Sequence, residues 1–289
     1  MNVLIINDKI NEKNGMGHHM RCRALHYAFS LNRAEVYRIS FKNNYCYNYP
    51  EQHDLVVVDS YHACYKFYES IAVKTKLAII DDCDRMSYPI ENTIIIKDGI
   101  PFHKFPLTEG LTFIQTNILN PVFWKVPEKK INRKIKNVLI NLGGTKKAKE
   151  LTQIIAKSLK ENYKLAIPQN RKSKDILKAL LWADVALTGG GQSLKEALRV
   201  GTPAIVAQLF ENQKKNIVDA VSNELVLIAE DLSMIKDFNK VEFSYKYSKA
   251  NYYDKRKQIH RNCKKLIRGG STMGVVNYLT NWVNKKDFA

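Results

Sequence analysis

The stretch Gly15-Met16-Gly17-His18-His19-Met20-Arg21-Cys22 follows an apolar run at 3–6 and opens a segment of helical spacing whose apolar face holds Cys22, Leu25, Ala28 and Phe29. This is a glycine-rich strand-to-helix turn with His18 at the helix start. The first N–H groups of a helix lack backbone partners and carry the positive end of its dipole, while glycines let an anion approach the backbone closely. A diphosphate suits such a place. The same residues also fit a plain tight loop with a solvated histidine, so the rest of the chain has to decide.

Working outward, short Val- and Ile-rich runs recur at 3–6, 55–58, 77–80 and 93–96, two of them ending in Asp59 or Asp81. Runs of this length suit buried parallel strands. A charged bridge at 125–136 contains Pro127 and few large apolar residues, after which Val138-Leu139-Ile140-Asn141-Leu142-Gly143-Gly144 restarts the strand-then-glycine pattern. The expected domains are 1–130 and 131–289. Beyond the bridge the pattern predicts a helix from about 148, a strand near 165–167, a helix over 175–182, a strand at 185–187, a helix after Gly191 and a strand at 204–206. That alternation predicts a second doubly wound α/β domain. Two terminal helices, near 253–267 and 273–283, are separated by Arg268-Gly269-Gly270-Ser271, a stop followed by a helix-cap signal.

With 289 residues, 45% of them hydrophobic, the chain can bury a core of globular size. The N-terminus lacks the pattern of a secretory signal and no apolar run is long enough to cross a bilayer, which makes the cytoplasm the expected compartment. Five cysteines, Cys22, Cys46, Cys64, Cys83 and Cys263, show no paired short spacing, so they suggest neither a disulfide framework nor a zinc site. The formal charge of +18 favours anionic partners, but it is mainly lysine spread along the chain and no nucleic-acid-binding motif accompanies it.

A second glycine-rich turn, Thr188-Gly189-Gly190-Gly191-Gln192-Ser193-Leu194-Lys195-Glu196, follows the strand at 185–187. Its glycines permit close approach to a pyrophosphate, Gln192 and Ser193 supply donors, and Glu196 can accept both ribose hydroxyls. The competing reading is a capping box between Ser193 and Glu196. In Glu211-Asn212-Gln213 the two amides can read sugar hydroxyl or acetamido groups, or Asn212 can cap a helix. Tyr61, in Asp59-Ser60-Tyr61, sits beyond a strand's carboxyl end, placed to bond the sugar, to orient a water, or to pack with a wet hydroxyl. Asp81-Asp82 follows the next strand, where paired carboxylates serve as caps, as loop anchors, or as a metal lure that nothing else supports.

These pieces, together with Gly201-Thr202-Pro203, occur in the order seen in the UDP-2,4-diacetamido-2,4,6-trideoxy-β-L-altropyranose hydrolases of pseudaminic acid biosynthesis, and the chain resembles that family along its whole length. The family is related to glycosyltransferases and to spore coat polysaccharide biosynthesis proteins. The resemblance implies two Rossmann-like doubly wound α/β domains in a glycosyltransferase-B arrangement with a cleft between them, and a terminal helix that packs back on the first. It implies His18, Tyr61 and Asn212 as catalytic residues, His18 rather than His19 taking the part of base. As substrate contacts it implies Gly15, Gly17, Arg21, Gly190, Gly191, Gln192, Ser193, Glu196 and Gln213. A UDP-sugar is the implied substrate, with no metal, no cofactor, no nucleic-acid partner and no stable membrane association, on a chain expected to be monomeric. Lys146 stands where the family has an aspartate, and the stretch 164–184 is shorter than usual, with 168–174 in place of a strand and loop near the base. Two other readings remain: a glycosyltransferase of the same architecture, for which the aromatic loop 45–50 offers an interfacial contact, and a nucleotide-sugar binder without catalysis.

Overall fold

The apolar runs read from the sequence become strands because each is buried on both faces, as parallel strands between layers of helices are. A computed structural model describes residues 1–9, 17–42, 50–82, 85–100, 110–168, 172–228 and 249–285. Gly15, Met16, Cys46, Cys83, loop residues 45–49 and residues 169–171 lie outside the described residues. The first half runs β1 (Asn2–Asn7), α1 (Gly17–Leu31), β2 (Glu35–Ser40), β3 (Leu55–Asp59), α2 (Tyr65–Ala72), β4 (Lys76–Ile80), β5 (Thr93–Asp98) and β6 (Thr112–Thr116). The second runs β7 (Asn137–Asn141), α3 (Lys146–Leu159), β8 (Lys164–Ala166), α4 (Ser173–Trp182), β9 (Val185–Gly189), α5 (Gln192–Val200), β10 (Ala204–Ala207), α6 (Lys214–Ser222), β11 (Val226–Ile228), α7 (Lys249–Leu266) and α8 (Ser271–Asn284).

The chain divides into two compact units, Met1–Pro121 with Gly270–Ala289, and Val122–Gly269. The first holds a six-stranded sheet ordered β2-β1-β3-β4-β5-β6, with every pairing parallel. Strand order reverses at β1, which has β2 on one side and β3 on the other. In open parallel sheets ligands bind beyond the carboxyl ends of the strands at such a reversal. Helix α1 covers the sheet with the predicted apolar face, Cys22, Leu25, Ala28 and Phe29 all being fully buried. On α2, Phe67, Tyr68 and Ile71 close a core cluster with Val56, Val58, Leu77, Ile79 and Ile95.

Helix α8 completes this unit. Ser271 Oγ donates to the Asn117 carbonyl at 2.6 Å, Leu119 N–H donates to Thr272 Oγ1 at 3.0 Å, and Lys76 Nζ donates to the Trp282 carbonyl at 3.0 Å. The cap signal in the sequence is therefore used differently: Gly270 holds the N-cap position and the Ser271 hydroxyl ties the helix to the end of β6.

The second unit holds a five-stranded parallel sheet ordered β11-β10-β9-β7-β8, again reversing beside its first strand, here between β7 and β9. Its core joins Val138, Ile140, Leu142 and Leu187 to Ala148, Ile155 and Leu159 of α3. The charged bridge belongs to this unit. Within it the buried Lys129 ammonium donates to the carbonyls of Leu180, Leu181 and Ala183 at 2.9, 2.8 and 2.6 Å and so caps the carboxyl end of α4. Helix α5 ends at Gly201, whose φ of 74° is the left-handed conformation that favours glycine.

Candidate functional site

In the first unit the polar residues gather where the strand order reverses. Asp59 closes β3 and is fully buried; its carboxylate accepts from His18 Nδ1 at 2.5 Å, Arg21 Nε at 2.6 Å and Arg21 Nη2 at 2.7 Å. His18 and Arg21 are one helical turn apart on α1, so both reach the same strand end. Burial alone would raise the Asp59 carboxyl, but the charges of Arg21 and His18 and their hydrogen bonds hold it well below the usual carboxylate range. An ionised Asp59 can only accept, which places the proton of a neutral His18 on Nδ1 and leaves Nε2 as the basic nitrogen. Among the described residues nothing is hydrogen-bonded to Nε2.

Arg21, read from the sequence as a substrate contact, is committed to the protein. It is 4% exposed, and besides Asp59 it donates from Nη1 to Asp82 at 2.5 Å and Asp98 at 3.3 Å. The Tyr61 hydroxyl donates to the other oxygen of Asp82 at 2.8 Å, and its ring meets His18 edge-on with centroids 4.3 Å apart. The Tyr61 backbone is fixed too: its N–H and the Ser60 hydroxyl donate to Asp8 at 2.8 and 2.6 Å, and Arg85 reaches the Tyr61 and Ala63 carbonyls. His19 points elsewhere and accepts on Nδ1 from Arg38 of β2 at 3.2 Å. Burial, then the charges of Arg38 and Arg23, push its pKa down.

Asp8, Asp82, Asp98 and Arg85 were not singled out as site residues from the sequence. A signal was available for the acids: β1, β3, β4 and β5 each end in, or are followed at once by, an aspartate. These bond across to the next element. Asp81 takes Lys97 of β5 at 2.9 Å, and Asp98 takes the Ile118 N–H beyond β6 at 2.9 Å.

In the second unit the turn after β9 gathers Gly190, Gly191, Gln192, Ser193, Glu196 and Gln213. Gly191 is the N-cap of α5, so Ser193 does not cap the helix and the capping box with Glu196 does not form; the Ser193 hydroxyl lies 3.5 Å from the Gly189 carbonyl instead. The first backbone bonds of α5 run from Leu194 and Lys195 N–H to the Gly191 carbonyl, which leaves the N–H groups of Gly191 and Ser193 outside the helical ladder. Glu196 is 3% exposed, and desolvation pushes its carboxyl up to about 8. The Thr188 hydroxyl, near the end of β9 opposite Asn141 of β7, is buried with no hydrogen-bond partner among the described residues.

Gly190 needs to be glycine for packing, since a Cβ there would fall 2.6 Å from Ile217 Cγ1 and 2.9 Å from Gln213 Cβ. Its N–H donates to Gln213 Oε1 at 3.2 Å and its carbonyl accepts from Asn216 Nδ2 at 3.3 Å, so its peptide groups are held by protein. Asn212 is exposed in the short turn ahead of α6 and is not that helix's cap, which is Gln213. Lys146 is exposed in the first turn of α3, beside Lys147 and Lys149, and Thr145 caps that helix by accepting from Ala148 N–H at 3.3 Å. Among the described residues no group of three or more His, Cys, Asp or Glu is arranged to hold a metal ion, and no helix is long and apolar enough to cross a membrane.

No protein-family model matches the chain, and no curated protein matches it. Solved structures do match. MurG of Acinetobacter baumannii is similar with a TM-score of 0.67 at 12% identity, covering 97% of this chain and 99% of that one. Spinosyn rhamnosyltransferase SpnG, complexed with thymidine diphosphate, gives 0.60 at 10% identity over 97% and 100%. The calicheamicin glycosyltransferase CalG4 gives 0.59 at 12% identity over 99% of each chain. With its two parallel-sheet α/β units, the chain has the fold of the GT-B glycosyltransferases.

Proposed function

We propose that the protein is a hydrolase that cleaves a UDP-linked 2,4-diacetamido-2,4,6-trideoxyhexose at its anomeric carbon, with inversion, in the synthesis of a pseudaminic-type nonulosonic acid. The observation that carries this reading is the His18–Asp59 pair, a buried carboxylate that orients an imidazole with Nε2 as its basic nitrogen. Nε2 takes a proton from water as the water oxygen bonds to the anomeric carbon. The bond from that carbon to the diphosphate breaks and its electron pair leaves with UDP. Asp59 stabilises the imidazolium that forms, Arg21 keeps Asp59 ionised, and Tyr61 braces the ring edge.

UDP is already a good leaving group, so the second unit has to offset charge growing on the diphosphate. The start of α5 and the Ser193 hydroxyl serve that purpose, Gln192 adds a donor, and Glu196 accepts the ribose hydroxyls. Asn212, exposed beside this turn, is assigned to the sugar. The thymidine diphosphate named with SpnG supports a nucleoside diphosphate in this fold.

A second reading is a glycosyltransferase in which His18 deprotonates an acceptor hydroxyl; the glycosyltransferase names of the structural neighbours favour it. Proton and phosphorus NMR of the protein with UDP-2,4-diacetamido-2,4,6-trideoxy-altropyranose separates the readings. Release of UDP without acceptor, with an initially inverted anomer, is the expected result. Release only after acceptor alcohols are added makes it a transferase, and binding without turnover makes it a binder.

A further inference from the structure

We infer that Gln213 is a diphosphate donor whose amide is locked in one orientation by the backbone, so that its oxygen serves the fold and its NH2 serves the ligand. The inference rests on the nucleotide-sugar reading above and assigns Gln213 to the phosphates rather than to the sugar.

The lock follows from what surrounds the amide oxygen. Gln213 Oε1 accepts from Leu209 N–H at 3.0 Å and from Gly190 N–H at 3.2 Å. Backbone N–H groups can only donate, so a flipped amide would set its NH2 against two donors. Oε1 is therefore fixed inward and Nε2 outward. Nε2 lies 3.6 Å from the point a Cβ would occupy on either Gly189 or Gly191, which puts it alongside the glycine turn itself. Among the described residues nothing accepts from it.

The chemistry of its neighbourhood names the ligand. Nε2 lies alongside Gly191, the N-cap at the positive end of α5, whose N–H is outside the helical ladder, and there the matching partner is an acceptor-only anion. The Gly190 N–H, which the sequence assigned to the ligand, is taken by Gln213 Oε1, and Asn216 holds the carbonyl of the same residue. The donor that Gly190 does not offer is supplied by Nε2. Gln213 thus positions the turn with one amide atom and contacts a nucleoside diphosphate with the other.

Gln213→Glu separates the two tasks, because a carboxylate still accepts from Leu209 and Gly190 but has no donor and brings a negative charge to the diphosphate. The experiment measures UDP binding by calorimetry and the hydrogen exchange of the Gly190 and Leu209 amides by NMR, in the wild type, Gln213→Glu and Gln213→Met. Gln213→Glu is expected to keep both amides protected while binding UDP about 10- to 100-fold more weakly. Gln213→Met is expected to lose both protection and binding. Wild-type affinity in Gln213→Glu overturns the donor role, and exchange in Gln213→Met as slow as in the wild type overturns the lock. If the wild type itself fails to bind UDP, the nucleotide reading falls and takes the donor role with it.

Discussion

At Asp59 one buried carboxylate accepts from an imidazole, a guanidinium and, at 3.4 Å, the Cys22 thiol. Asp59→Asn puts an amide where only an acceptor fits, so either its NH2 faces Arg21 or His18 must turn its proton to Nε2. The expected result is a fall in kcat of about 10²- to 10⁴-fold with UDP affinity kept, because the residues proposed to hold the nucleotide lie in the other unit. A parallel loss of UDP binding in titration calorimetry would refute this division of labour. Glu196 makes a second prediction through pH. Its folded pKa, about 8, lies above that of an unfolded glutamate, so the folded state binds the extra proton and stability falls as pH rises from about 4 to 8. Glu196→Gln removes that cost, and thermal unfolding should show the variant gaining on the wild type as pH goes from 5 to 8.5. If the carboxylate accepts ribose hydroxyls, wild-type UDP binding should tighten over the same range while Glu196→Gln stays flat. The motifs named His18 and Tyr61, whose rings the structure brings together, but not Asp59 as the carboxylate that His18 and Arg21 share, because a motif states which residues are near in sequence and not which carboxylates a long side chain will reach.

At the level of elements, most of the legible strands were buried on both faces, such as β3, where all five residues are buried, though the edge strand β8 was read as well. The edge strands β2 and β6 were missed, since Glu35-Val36-Tyr37-Arg38-Ile39-Ser40 is half exposed and carries charge at two positions. Helix α6 begins Lys-Lys-Asn and β11 has only three residues, too little periodicity to read. The bridge shows a different limit: its charge and few large apolar residues marked it as a domain boundary, yet within it Lys129 is buried and caps α4 with three hydrogen bonds. Burial pushes its pKa down to about 8, while the three carbonyls and the charge of Asp184 favour the charged form. Lys129→Met keeps the volume and removes the donor, leaving carbonyls with no replacement. It should cost about 2–4 kcal/mol, read as a lower urea midpoint at unchanged slope. A midpoint within error of the wild type would show that water reaches the end of α4 freely.

Across the whole molecule, both units use the same strand order, with the reversal beside the first strand, and each carries its candidate residues at the carboxyl ends flanking that reversal. This was legible as alternation, because after the charged bridge the strand-then-glycine pattern restarts and a second run of alternating strands and helices follows. Charge adds a layer that the motifs do not contain. The chain carries +18, while Asp8, Asp59, Asp81 and Asp98 sit buried at the strand ends of the first unit. The diffuse positive field would act at a distance on the dianionic substrate proposed above and is screened by salt; the buried His18–Asp59–Arg21 cluster is not. Raising NaCl from 0.05 to 0.5 M should therefore raise KM several-fold, about 3- to 10-fold on Debye screening of surface charge, and leave kcat within about twofold. Steady-state kinetics at constant pH decides it. A kcat that falls with salt while KM holds would mean that the strand-end carboxylates and Arg21 exchange with solvent ions during turnover, and the base would then need a different partner from the buried one that Asp59 provides.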